Sequence, residues 1–127
     1  MQYMLMIFDD PKRIAQLPEA QRREFQQAYA DFTQGLVKSG HFRAGAQLQP
    51  VSAATVVRAP GGKLSTTDGP FVETKEHLGG YYLVECKDLD EAVAIAARVP
   101  SVALSSGAVE VRPLVPTSEA ARTPPAR

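Results

Sequence analysis

A chain of 127 residues makes one domain, long enough to bury about two thirds of its unfolded surface without staples. Lys plus Arg number 14 and Asp plus Glu number 14, so the formal charge is zero and the basic excess expected of a nucleic-acid binder is missing. Cys86 is the one cysteine, which excludes an internal disulfide and suits a reducing cytoplasm, where the protein is expected.

Gln2 to Phe8 (QYMLMIF) is a short apolar run closed by Asp9-Asp10-Pro11. Its length and breakers predict a buried strand and stop it far short of a secretory or membrane-spanning segment. Alternation puts Tyr3, Leu5 and Ile7 on one face and Met4, Met6 and Phe8 on the other. Both sets are apolar, so both faces need cover. From Pro18 to Ser39 the period becomes helical: Phe25, Tyr29, Phe32 and Leu36 share a face, opposite Arg22, Arg23, Gln26, Gln27 and Asp31. Pro18 fits the first helical position and Gly40 the residue past the end. A short element follows over 41–48. Thr55 to Ala59, Pro60-Gly61-Gly62 and Lys63-Leu64-Ser65 then read as a hairpin.

Residues 68–80 read DGPFVETKEHLGG. Asp68-Gly69-Pro70 is concentrated turn chemistry. Phe71 is an expected aromatic anchor, Glu73, Lys75, Glu76 and His77 crowd ionisable groups together, and Gly79-Gly80 is expected to loosen the backbone. That is the composition of a loop held in place. Gly80 to Cys86 is the next strand, with Tyr81, Leu83 and Glu85 on one face and Tyr82, Val84 and Cys86 on the other. Asp88 caps a second helix, with Glu91 three residues on as in a capping box, and Leu89, Ala92, Val93 and Ala96 form its buried stripe up to Pro100. Val109 to Leu114 is the last strand. The domain is expected over 1–115, and 116–127 (PTSEAARTPPAR) as a disordered tail.

The order strand, helix, hairpin, strand, helix, strand predicts an α+β fold. It is the split βαβ arrangement: a four-stranded antiparallel sheet plus a hairpin, with two helices on one face. Two helices cannot cover both faces of that sheet, and a second copy of the sheet is the simplest cover for the other. A homodimer through the sheet face follows.

Several groups are candidates for chemistry. Asp68 reads either as an Asx-turn acceptor or as a carboxylate at a cleft mouth. Glu73 and Lys75 share a face in extended chain and could pair; a partly buried Lys75 would hold an anion or move a proton. Arg58 is a second anion partner, and Phe71 and Tyr81 would wall a pocket. His77 is a candidate proton-transfer group, whereas His41 is explained by the end of the first helix. An open cavity lined by Asp68, Glu73, Lys75 and His77 is the expected mark of a ligand site. Neither histidine has metal-ligand spacing, so no metal is expected and no cofactor either. Cys86 reads as a small buried apolar residue.

Arg58, Gly61-Gly62, Asp68-Gly69-Pro70-Phe71, Glu73-Thr74-Lys75-Glu76, Gly79-Gly80-Tyr81-Tyr82 and Val109-Glu110-Val111-Arg112-Pro113 together resemble the signature of YCII-related proteins of the DGPF type. These are small bacterial proteins with a ferredoxin-like, dimeric α+β barrel fold. A held loop over a sheet cleft, without a complete catalytic constellation, points to a dimeric small-ligand-binding or regulatory protein. The resemblance implies a link to transcription through an extracytoplasmic-function sigma factor as partner. Direct nucleic-acid contact and membrane association are not expected. The alternative is a small cofactor-independent enzyme, a lyase, isomerase or monooxygenase-like activity on an aromatic or oxo-acid, with Asp68 or His77 moving protons. Many members of the broader family carry a His on the first helix and an Asp before a Pro after the second. Tyr29 and Val99 stand at those positions here, so chemistry through that pair is not expected.

Overall fold

Six strands and four helices carry residues 1–116 of the structure, a computed structural model; of the predicted tail, residues 117–127 lie outside the described residues. In chain order they are β1 (Gln2–Asp9), α1 (Pro11–Ala15), α2 (Glu19–Lys38), β2 (Phe42–Gln47), β3 (Thr55–Arg58), β4 (Ser65–Asp68), β5 (His77–Glu85), α3 (Leu89–Ala96), α4 (Pro100–Ala103) and β6 (Ala108–Pro113). β2, β5, β1 and β6 lie side by side in that order in one antiparallel sheet. β3 and β4 pair with each other in a separate two-stranded ribbon. The predicted split βαβ, ferredoxin-like α+β fold is what forms.

β1 alternates as its residues require. Tyr3, Leu5 and Ile7 are buried with Tyr82 and Val84 of β5, Leu36 of α2, and Ala92, Ile95 and Ala96 of α3. Leu5, Leu36, Val84 and Val99 are the largest fully buried side chains. Two hydroxyl pairs satisfy the polar ends of the aromatic residues in this layer: Tyr29 OH with Ser101 Oγ at 2.6 Å, and Thr33 Oγ1 with Tyr82 OH at 2.6 Å. On the other side of β1 stand Met4, Met6 and Phe8. Met4 and Met6 lie opposite Leu83 and Tyr81 on β5, and opposite Arg112 and Glu110 on β6. The buried side chains of α2, α3 and α4 all lie on the first side, so no layer of the described chain covers this second face.

The helix ends follow local chemistry. Gly40, with φ of 82°, closes α2, and the N–H groups of His41 and Gly40 reach back to the carbonyls of Leu36 and Val37 at 3.0 and 3.2 Å. The Asp88 carboxylate accepts the Glu91 N–H at 2.9 Å, and Glu91 reaches back to the Lys87 N–H at 3.0 Å. Pro100 does more than end α3: its fixed φ suits a first helical position, and it opens α4. The Gly79-Gly80 pair corrects an expectation, for both residues lie inside β5 and neither takes a positive φ. Gly80 is needed for close approach, since a Cβ there would stand 2.8 Å from the Ala46 carbonyl oxygen of β2.

Candidate functional site

Charge collects at the end of the sheet where β1 runs out. The Asp10 carboxylate is buried and caps α1, accepting the Lys12 N–H at 3.0 Å. Asp9 uses one oxygen for three donors: the Asp10 N–H at 2.8 Å, the Arg13 guanidinium and the Ser105 hydroxyl at 3.3 Å. Its second oxygen, Oδ2, is buried without a partner among the described residues, as is Nε of Arg13. Gly107 makes room for this cluster, because a Cβ there would lie 2.6 Å from the Phe8 carbonyl and 3.0 Å from Asp9 Oδ2.

β5 begins directly opposite, with His77 paired to Asp9 and Leu78 to Phe8. The approach to β5, Thr74 to Glu76, therefore crosses the same end of the sheet. Two adjoining hollows open there. The larger, about 660 Å³, is walled by Phe8, Asp10, Arg13, Lys75, Glu76 and Glu110 among others. The smaller, about 320 Å³, adds Pro11, Lys12 and His77, and Asp10, Thr74 and Lys75 border both. No ion pair engages Lys75 among the described residues.

The residues singled out in the sequence divide between two places. Lys75 and His77 reach the cleft. Asp68 and Glu73 do not line it, so the expected cavity of Asp68, Glu73, Lys75 and His77 is not formed within the chain. Asp68 pairs with Thr55 at the end of the ribbon. The corner after it is closed by the backbone: Gly69, at φ 104°, donates its N–H to the Ala54 carbonyl at 2.8 Å. Phe71 is no anchor in its own chain, being 72% exposed. It packs instead under the Arg58 guanidinium, 5.1 Å from the ring centre, so these two candidates meet on the ribbon. Glu73 and Lys75 form no ion pair with each other, nor with any other of the described residues. Tyr81 lies on the uncovered sheet face, opposite Met6 and Ala46.

Other candidates resolve structurally. His41 Nδ1 is 2.6 Å from the Ser39 hydroxyl and its Nε2 3.3 Å from Glu91 Oε1, which ties the end of α2 to α3. Cys86 is buried, and burial followed by the Glu91 and Glu85 carboxylates pushes its thiol up, away from nucleophilic thiolate. Tyr29, the expected stand-in for the first-helix His, shares a hydroxyl–hydroxyl hydrogen bond with Ser101 that ties α2 to α4. Among the described residues no group of three or more His, Cys, Asp or Glu could hold a metal ion, and no helix is long and apolar enough to cross a membrane. Asp9, Asp10, Lys12 and Arg13 escaped the sequence reading. Their signal was present as two carboxylates and two cations directly after a central strand, but Asp9-Asp10-Pro11 reads equally as a stop.

Residues 1–118 match the YCII-related domain. The chain belongs to the YCII-related family. An uncharacterized protein of Rhizobium meliloti (strain 1021) is 44% identical over 78 residues, a match taking in 61% of this chain and 63% of that relative, so less than two thirds of the relative's length is spanned. Among solved structures, this YCII-related chain is similar to 5-chloro-2-hydroxyhydroquinone dehydrochlorinase (TftG) from Burkholderia phenoliruptrix AC1100, in complex with 2,5-dihydroxybenzoquinone. The TM-score is 0.56 at 14% identity, covering 91% of this chain and 94% of that one, a likeness of fold.

Proposed function

We propose that this YCII-related protein is a homodimer, paired through its uncovered sheet face, that binds a small anionic metabolite in the cleft at the end of β1. The observation that carries the reading is the cleft itself. It sets the ammonium of Lys75, which has no ion-pair partner among the described residues, beside the apolar Phe8, with Lys12 and His77 adjoining. The carboxylates of Asp10, Glu76 and Glu110 line the larger hollow too, so an anion is held at its Lys75 side. An ammonium against an apolar wall suits a carboxylate borne on a small ring or short chain. Pairing is supported by Met4, Met6, Phe8, Tyr81 and Leu83, large side chains on a face that antiparallel sheets bury only when something packs there.

A thermal-shift screen of aromatic acids, oxo-acids and phosphorylated metabolites tests this, run on the wild type and Lys75→Ala. A ligand at about 100 times its dissociation constant adds roughly 2.7 kcal/mol, several degrees at this size. The expected result is a carboxylate hit lost in Lys75→Ala; a hit unmoved by that substitution would place binding elsewhere. A silent screen on folded protein would favour a protein partner, the sigma factor implied by the family resemblance being the first to assay.

A second reading, catalysis without a cofactor, is favoured by one observation: His77 and the buried Asp10 carboxylate border the same hollow. The dehydrochlorinase activity named for the structural neighbour supports an enzyme on this fold by analogy alone. Under this reading His77→Gln retains ligand binding and loses turnover of the same ligand.

A further inference from the structure

We infer that the arm formed by residues 48–76 closes over the cleft of a second copy of this chain, so that Arg58 and Phe71 of each copy complete the site of the other. This rests on the homodimer proposed above.

The arm leaves the sheet after β2, where the Leu48 N–H still bonds the Gly79 carbonyl at 2.9 Å, and returns at His77, opposite Asp9. Between those points β3 and β4 pair only with each other, and no side chain of the arm enters the core. The arm is nonetheless poorly adapted to water. Val57 is 60% exposed, Leu64 71%, Phe71 72% and Val72 60%. A lone two-stranded ribbon is marginal in water, and apolar side chains displayed on one mark a contact surface.

Area points to a second copy as the occupant. Four strands about 4.8 Å apart and six to nine residues long, at about 3.4 Å per residue, present a flat outline of roughly 470 Å². A stable pair buries about 800 Å² of accessible surface on each partner, well above the flat outline of the sheet face. The arm, which exposes Val57, Leu64, Phe71 and Val72, is apolar surface able to make up the difference. A two-fold pairing places each arm on the other subunit and closes the assembly.

The chemistry of the two surfaces agrees. Arg58 lies over the Phe71 ring, and among the described residues no carboxylate pairs with it. The cleft offers Phe8 to a ring and the Glu76 carboxylate to a cation, Glu110 being already paired with Arg112. Within one chain the arm contributes only Thr74, Lys75 and Glu76 to that cleft, and its Arg58–Phe71 pair stays outside. The signature residues that the single chain keeps apart, Arg58 and Phe71 on one side and Lys75 and His77 on the other, come together across the pair.

Placing the photo-cross-linker p-benzoylphenylalanine at position 71 tests the contact directly. Irradiation is expected to yield a covalent dimer whose adducts map to 8–13 or 106–110. In sedimentation, the double variant Val57→Asp, Phe71→Asp is expected to weaken dimerisation at least tenfold with an unchanged far-UV spectrum. A wild-type chain that sediments as a monomer would overturn the dimer and this inference with it. A wild-type dimer with only intrachain adducts, or none, or with a folded arm variant that pairs as tightly, would overturn the arm contact and leave the dimer standing. Should the double variant not fold, the cross-link decides.

Discussion

Gly80 has no room for a methyl group, because the Ala46 carbonyl that a Cβ would strike belongs to a paired strand and cannot swing aside. Gly80→Ala is expected to cost about 1–3 kcal/mol. Gly79, whose nearest such neighbour is 4.0 Å away, should accept Ala with no loss and a gain of up to about 1 kcal/mol. Urea unfolding of the two variants checks the contrast. Tyr29 and Tyr82 carry a pH dependence. Burial raises both phenols above the usual 10.0, against the smaller opposing pull of Ser101 and Thr33. The folded state thus holds these protons more tightly than the unfolded chain. Their contribution is complete below about pH 10 and is lost as the pH rises through the raised values. Tyr29→Phe should cost about 1 kcal/mol at pH 7, by removing the bond to the buried Ser101, and should flatten the alkaline loss. Unfolding measured at pH 7 and above pH 10 tests both signs.

Among the elements, those defined by short-range pattern were legible. The stripe Phe25, Tyr29, Phe32, Leu36 drew α2 to within a residue of its ends, and Asp88 marked the start of α3. Asp88→Ala should cost about 1 kcal/mol in thermal or chemical unfolding, since the Glu91 N–H loses its acceptor. What the sequence did not reveal depends on register between distant segments. Asp9 faces His77 only because β1 pairs with β5, and nothing local to either residue encodes that pairing. The same holds for the arm: DGPF reads as a fixed loop, and its corner is indeed tight at Gly69. Yet the ribbon's separation from the sheet leaves Phe71 outward, where turn chemistry and hydrophobicity taken residue by residue predict an anchor.

For the whole molecule, the uncovered face makes a direct prediction. Met4→Asp puts a charge at its centre, opposite Leu83 and Arg112, and should give a folded monomer by sedimentation with its circular dichroism intact. An unchanged dimer would show that pairing uses another surface. The strand order has a further consequence, for the making of the protein. β1 is hydrogen-bonded to β5 and β6 alone, and both are translated late. Roughly seventy residues separate the end of β1 from the start of β5, several seconds of synthesis at about 5–20 residues per second. Throughout that interval YMLMIF has neither neighbour to pair with, and both its faces are apolar. The strand at the centre of the finished sheet is, on the ribosome, an unpaired apolar segment that a chaperone can hold until β5 arrives.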